Sequence, residues 1–203
     1  MKLISMVVLS AQPTLPDPII LAAEHDVSSF SYFQRKSVQE MSVFLARNTA
    51  KKAIVGERSS LDHEGHTAHY FLKGNGLIAF VMTDQEYPDR KAHSLVTLTL
   101  QKFEETFKDW KSEKADKMYD FPWLKDALRQ YQNPDDKVGQ TLREIDDVKR
   151  IMHKNIEQTL GRGDDLDMLV HKSEDLSARS KQFYKQTKGV RALCVCIRFH
   201  RRS

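Results

Sequence analysis

The sequence predicts an α+β fold: an antiparallel sheet flanked by helices, followed by one long coiled-coil helix. Two features carry this reading. Short apolar runs and a glycine-rich hairpin come first and helical patterns follow, the order of strands packed beneath helices. Past Asn133-Pro134 the chain changes character, and an unbroken heptad begins.

The elements follow in order. "KLISMVVL" and "PIILAAEH" are apolar runs split by a loop with Pro13, Pro16 and Pro18, and they read as neighbouring strands. The start "MKLISMVVLSAQP" also has the outline of a signal peptide, but its apolar run is short and no clear cleavage site follows. Ser37-Val38-Gln39-Glu40 has the form of a capping box, so a helix is expected there. Val38, Met41, Phe44, Leu45 and Ile54 would supply its apolar surface. "HTAHYFLK" and "GLIAFVMTD" flank Gly74-Asn75-Gly76, a hairpin signal. These runs give four clear strands. Ala92, Leu95, Val96, Leu98, Thr99, Phe103 and Phe107 mark a second helix. "FPWLKDALRQY", with Trp123, Leu124, Leu128 and Tyr131, marks a third. The expected division is a folded domain at 1–131, a linker at 132–136, a coiled-coil helix at 137–190 and a basic tail at 191–203.

Within 137–190, alternating steps of three and four residues trace a seam. It runs through Val138, Thr141, Ile145, Val148, Met152, Asn155, Thr159, Arg162, Leu166, Leu169, Ser173, Leu176, Ser180, Phe183, Thr187 and Val190. Nine of these sixteen positions are apolar and one is charged, which predicts a coiled coil. As a continuous helix it would be roughly 80 Å long. The seam is weak, because Thr, Ser and Asn stand where a stable dimer places Leu or Ile. Gly161 and Gly163 each cost about 1 kcal/mol of helix relative to alanine. Alone, this segment is expected to be unfolded or docked elsewhere, and to become ordered with partners. Arg162 has two readings. It snorkels out of a two-stranded seam, or it is buried in a larger bundle where side-chain carbonyls of neighbouring helices satisfy its five donors.

Composition excludes several classes. The net charge of +4 is mild, and no aromatic–basic RNA-binding pattern appears, so no nucleic-acid partner is expected. The mean hydropathy of −0.56 and the lack of a long apolar run exclude a membrane-spanning reading. No P-loop or nucleophile motif suggests an enzyme, and no cofactor is expected. His63, His66 and His69 miss the H-E-x-x-H zinc spacing, and on a strand His66 and His69 face opposite ways, so no metal site is expected. The two cysteines, Cys194 and Cys196, build no disulfide framework, which favours the cytosol.

These residues carry a resemblance. A heptad helix with one central arginine after an α/β domain resembles the longin-type R-SNAREs of the synaptobrevin-like family. "RGDDLDMLVHKSEDLSARSKQFYKQ" is similar to that family's motif, "DVSSFSYFQRKSVQE" and "TDQEYPDRKAH" to its longin domain, and "RYQNP" to its junction. The likeness runs from residue 1 to about 188 and is nearest the lipid-anchored Ykt type. It implies a profilin-like longin sheet with helices on both faces, with a fifth strand near "ERSSLDH". It implies that Arg162 is the central layer meeting three glutamines from Qa, Qb and Qc helices, with the other fifteen positions as layers around it. Phe44 matches the exposed longin phenylalanine onto which the SNARE segment folds back in a closed, autoinhibited state. The implied role is docking and fusion of vesicles in ER/Golgi, endosomal and vacuolar traffic. Disassembly by an ATPase and its adaptor is implied, as is a peripheral place on the cytoplasmic face of those membranes. A soluble longin adaptor or tether with a dimeric coiled coil is the alternative. The family ends in a prenylated C-a-a-X, whereas here six residues follow Cys194-Val195-Cys196-Ile197, so prenylation is expected to fail. Acylation of Cys194 and Cys196 beside a basic tail is then the expected membrane contact.

Overall fold

The computed structural model describes residues 2–63, 65–132, 151–156, 159 and 166–188. Strands β1 (Leu3–Ser10), β2 (Ile19–His25), β3 (Arg58–His63), β4 (His66–Leu72) and β5 (Leu77–Asp84) form a sheet with β6 (Ile151–Asn155), in the order β2-β1-β5-β4-β3-β6. Helices α1 (Tyr32–Lys52), α2 (Asp89–Thr106), α3 (Pro122–Gln130), α4 (Leu166–Lys172) and α5 (Ala178–Lys188) complete the described elements, with one 3₁₀ turn at Trp110–Ser112.

The near-continuous apolar runs of β1 and β5 arise because both faces of the sheet are covered. Met6, Val8, Ala79 and Val81 face a core shared with Leu95, Val96, Leu100 and Phe103 of α2 and Leu124 and Leu128 of α3. Val7, Leu9, Ile78 and Phe80 face a second core with Phe44, Leu45 and Ala46 of α1. The β4–β5 hairpin turns at Gly76, whose φ of 89° suits glycine. A Cβ there would also stand 3.0 Å from Gln12 Cγ and 3.3 Å from its Cα. The expected fifth strand is present as β3.

Three expectations are corrected. The first helix begins at Tyr32, not at Ser37. Ser31 is its N-cap, and the Gln34 side-chain oxygen accepts from the Ser31 amide (3.3 Å) and hydroxyl (2.9 Å). Ser37 is buried inside the helix, while Ile54 lies beyond its end and is exposed. Secondly, the sheet is mixed, since β6 pairs parallel to β3 with Ser60 opposite His153. Thirdly, the heptad segment is not one continuous helix. Met152 and Asn155 lie in a strand, and residues 173–177 separate α4 from α5. A free β3 edge offers unpaired backbone groups to a segment whose own helical seam is weak, and tertiary pairing overrides the local pattern.

The point where the chain leaves the domain is pinned. The Gln132 side chain accepts from the Leu3 amide (3.0 Å) and donates to its carbonyl (2.8 Å), as a strand neighbour would. Tyr87 Oη donates to the Tyr131 carbonyl at 2.9 Å.

Candidate interaction site on helix α1

Helix α1 presents Phe44 and Leu45 beside Leu61 of β3 and Phe80 of β5, and residues from the far end of the chain close over them. Ile156, Val170, Leu176 and Tyr184 belong to the same buried cluster. Phe44, Ile156, Leu166, Phe183 and Tyr184 line one apolar cleft. Phe44 is therefore 1% exposed, not the exposed residue anticipated. The covering segment is the reason.

Polar contacts fix the position of that segment. The Arg47 guanidinium lies between two carboxylates, with Nε 2.9 Å from Asp175 Oδ2 and Nη2 2.6 Å from Asp116 Oδ2. Burial alone would lower the Arg47 pKa, but the hydrogen bonds and charges of Asp116 and Asp175 raise it above its ordinary value. Asp116 in turn accepts from the Ile20 amide of β2 at 2.8 Å. The Ser177 amide, at the start of α5, donates to Glu40 Oε2 at 2.8 Å. A carboxylate there complements the unsatisfied amides of a helix N-terminus. Burial pushes the Glu40 carboxyl up, but the Ser177 amide, the Ser177 and Ser180 hydroxyls and Lys36 outweigh it and hold the group below the usual range. Lys154 of β6 pairs with Glu57 beside β3, and Arg179 donates to the Phe33 carbonyl at 3.1 Å.

The β3 edge that receives β6 is held from beneath by a buried histidine pair. Thr83 Oγ1 donates to the Thr67 carbonyl (3.3 Å), so it accepts from His69 Nε2–H (3.1 Å). His69 Nδ1 then accepts from the Ser60 hydroxyl (3.0 Å), and Ser60 accepts from His93 Nε2–H (3.0 Å). Burial pushes both imidazoles down to about 3, so each stays neutral at physiological pH. His66, three residues before His69, instead lines the cleft on the α1 side, which is the opposite-face arrangement the strand spacing predicts. Among the described residues no group of three or more His, Cys, Asp or Glu is placed to hold a metal ion.

The other candidate residues divide as follows. Leu166 and Leu169 are half-buried in α4, and Ser173 lies in the turn after it. Leu176 is buried before α5. Ser180 is buried and Phe183 half-buried in α5, where Thr187 also falls. Thr159 is half-buried. Val138, Thr141, Ile145, Val148, Arg162, Val190, Cys194 and Cys196 lie outside the described residues. Arg47, Glu40, Asp175 and Lys154 were not anticipated. Their one sequence signal is the position of Arg47, one turn from Phe44.

Two family models match the chain. The Longin model, described as a regulated-SNARE-like domain, matches residues 27–128, and the Synaptobrevin model matches residues 137–199, past Lys188. The chain belongs to the longin-type SNARE family. It is 40% identical over 200 residues to the VAMP-like protein YKT61 of Arabidopsis thaliana, covering 97% of this chain and 100% of that one. It is 36% identical over 191 residues to the Synaptobrevin homolog YKT6 of Yarrowia lipolytica, covering 92% and 96%. These longin SNAREs act in vesicle traffic through SNARE partners and are not enzymes. The expected α+β longin domain is present, and among the described residues no helix is long and apolar enough to cross a membrane.

Proposed function

We propose that this longin SNARE is an R-SNARE that supplies one helix of a fusion bundle and is restrained by its own longin domain. Residues 1–131 form the longin domain, 132–136 the linker and 137–190 the SNARE segment, with a basic tail at 191–203. Three Q-SNARE helices, Qa, Qb and Qc, complete the bundle, which draws ER/Golgi, endosomal or vacuolar membranes together. The disassembly ATPase and its adaptor separate it afterwards. Arg162 is the single charge in the sixteen-position seam. Buried among glutamine carbonyls, it fixes register as one buried Asn does in simpler coils. The restraint is supported by one observation above all: Ile156, Val170, Leu176 and Tyr184 share a buried cluster with Phe44. A segment packed there as strand and short helices is not available as one continuous helix. Attachment to the cytoplasmic membrane face rests on acylation of Cys194 and Cys196. Arg191, Arg198, Arg201 and Arg202 add about 1 kcal/mol each near an anionic leaflet.

Arg162→Ala tests the bundle. It leaves glutamine carbonyls unpaired, at a cost of roughly 1–2 kcal/mol. Assembled complexes are expected to weaken or lose register in cross-linking, while the longin domain melts as before. Unchanged assembly, together with unchanged disassembly by the ATPase, would overturn the reading.

A further inference from the structure

The docked face shares Leu166, Leu169, Leu176, Ser180 and Phe183 with the seam, but it also buries a second row of side chains. Ile156, Val170 and Tyr184 are 4%, 2% and 8% exposed, and each lies one position after a seam residue. Those seam residues, Asn155, Leu169 and Phe183, are exposed or half-buried. One residue is about 100° around a helix and the opposite face of a strand, so the shift selects another surface. The three apolar residues stand fourteen residues apart, every second heptad of one row, with Gly163 and Ser177 between them. Two ion pairs of the docked segment lie off the seam, Lys154 with Glu57 and Asp175 with Arg47, whereas the Ser180 hydroxyl of the seam reaches Glu40. Leu176 and Ser180 are the described seam residues that are fully buried in the docked arrangement.

We infer that the SNARE segment carries two recognition faces, the seam for three Q-SNARE helices and the adjoining row Ile156–Val170–Tyr184 for its own longin domain. This rests on the closed state proposed above and identifies the residues specific to it. In a bundle the row lies on the rim beside the seam, where side chains contribute less than at the core. Against α1 and β3 the same row is the buried anchor. The row therefore sets how tightly the closed state holds, and the seam sets how tightly the bundle holds, so the two are tuned separately.

The test uses the full chain with Ile156→Ala, Val170→Ala and Tyr184→Ala combined. Alanine is the best helix former, so the bundle helix is retained. The comparison is Leu166→Ala with Leu169→Ala. Hydrogen exchange of 166–188 reads the closed state. The melting temperature of the complex with one fixed set of three Q-SNARE helices reads the bundle. The row variant is expected to speed exchange by about tenfold or more and to leave the complex melting within about 3 °C of the unaltered one. The seam variant lowers complex melting and speeds exchange less. Slow exchange in β1 and β5 shows that the longin domain remains folded, and Tyr184→Ala alone serves if the triple variant does not fold. Exchange unchanged by the row variant would overturn the inference, as would complex melting lowered as far as by the seam variant. Phe44→Glu is measured alongside. If it speeds exchange and the row variant does not, the row assignment fails and the closed state stands. If neither changes exchange, both fall.

Discussion

Phe44→Glu is expected to release residues 151–188 from the longin domain. Phe44 is 1% exposed and shares its cleft with Ile156, Leu166, Phe183 and Tyr184. The substitution removes the ring and sets a carboxylate among the apolar side chains of that cleft. Loss of the ring alone costs about 3 kcal/mol or more, and the buried charge adds to it. A shift of about 3 kcal/mol raises the open population roughly a hundredfold. Exchange in 166–188 should speed up accordingly, and the rate of assembly with Q-SNARE helices should rise. Strands β1 and β5 at the sheet centre should keep slow exchange. Fast exchange of 166–188 already present in the unaltered chain would mean that there is no closed state to open.

Arg47→Ala is the second large expected effect. The guanidinium holds Asp175 of the SNARE segment and Asp116 of the loop along β2, so one side chain ties three parts of the molecule. Removing it leaves Asp175, with a side chain 20% exposed, in its groove without the cation that pairs it. Half-exposed Asp116 loses less, because water replaces the contact. A cost of about 2 kcal/mol falls chiefly on the docked segment. Exchange in 173–180 should rise more than in α2. Asp175→Asn should reproduce much of the effect without touching Asp116. If Arg47→Ala lowers the stability of the whole domain and leaves segment exchange in proportion to it, the contact is a brace of the domain and not a clasp on the segment.

The folded domain was legible where local signals agreed. Runs such as "MVVL" and "LIAFV" between turn signals read as strands, and the Gly74-Asn75-Gly76 hairpin set β4 against β5. Strand β3 was faint because "RSSLDH" is polar, with Ser59 and Ser60 buried by hydrogen bonds rather than by apolar contact. The start of α1 was misplaced because two cap-like patterns stand six residues apart. Glu40, the expected partner of Ser37, instead meets the Ser177 amide just before α5, a contact 137 positions away that no local pattern announces. β6 was hidden by the heptad, since Met152 and Asn155 fit a helical seam as readily as a strand. The row Ile156, Val170 and Tyr184 was visible as apolar residues beside the seam, but only the fold gives that row a purpose.

The central claim is that one segment takes two backbone forms, docked strand and short helices alone, continuous helix with partners. Backbone chemical shifts of residues 151–155 in the full chain test it most directly. Strand-type shifts are expected in the free protein, and helix-type shifts after addition of three Q-SNARE helices. Helical or random-coil shifts at these five residues in the free chain would contradict the account.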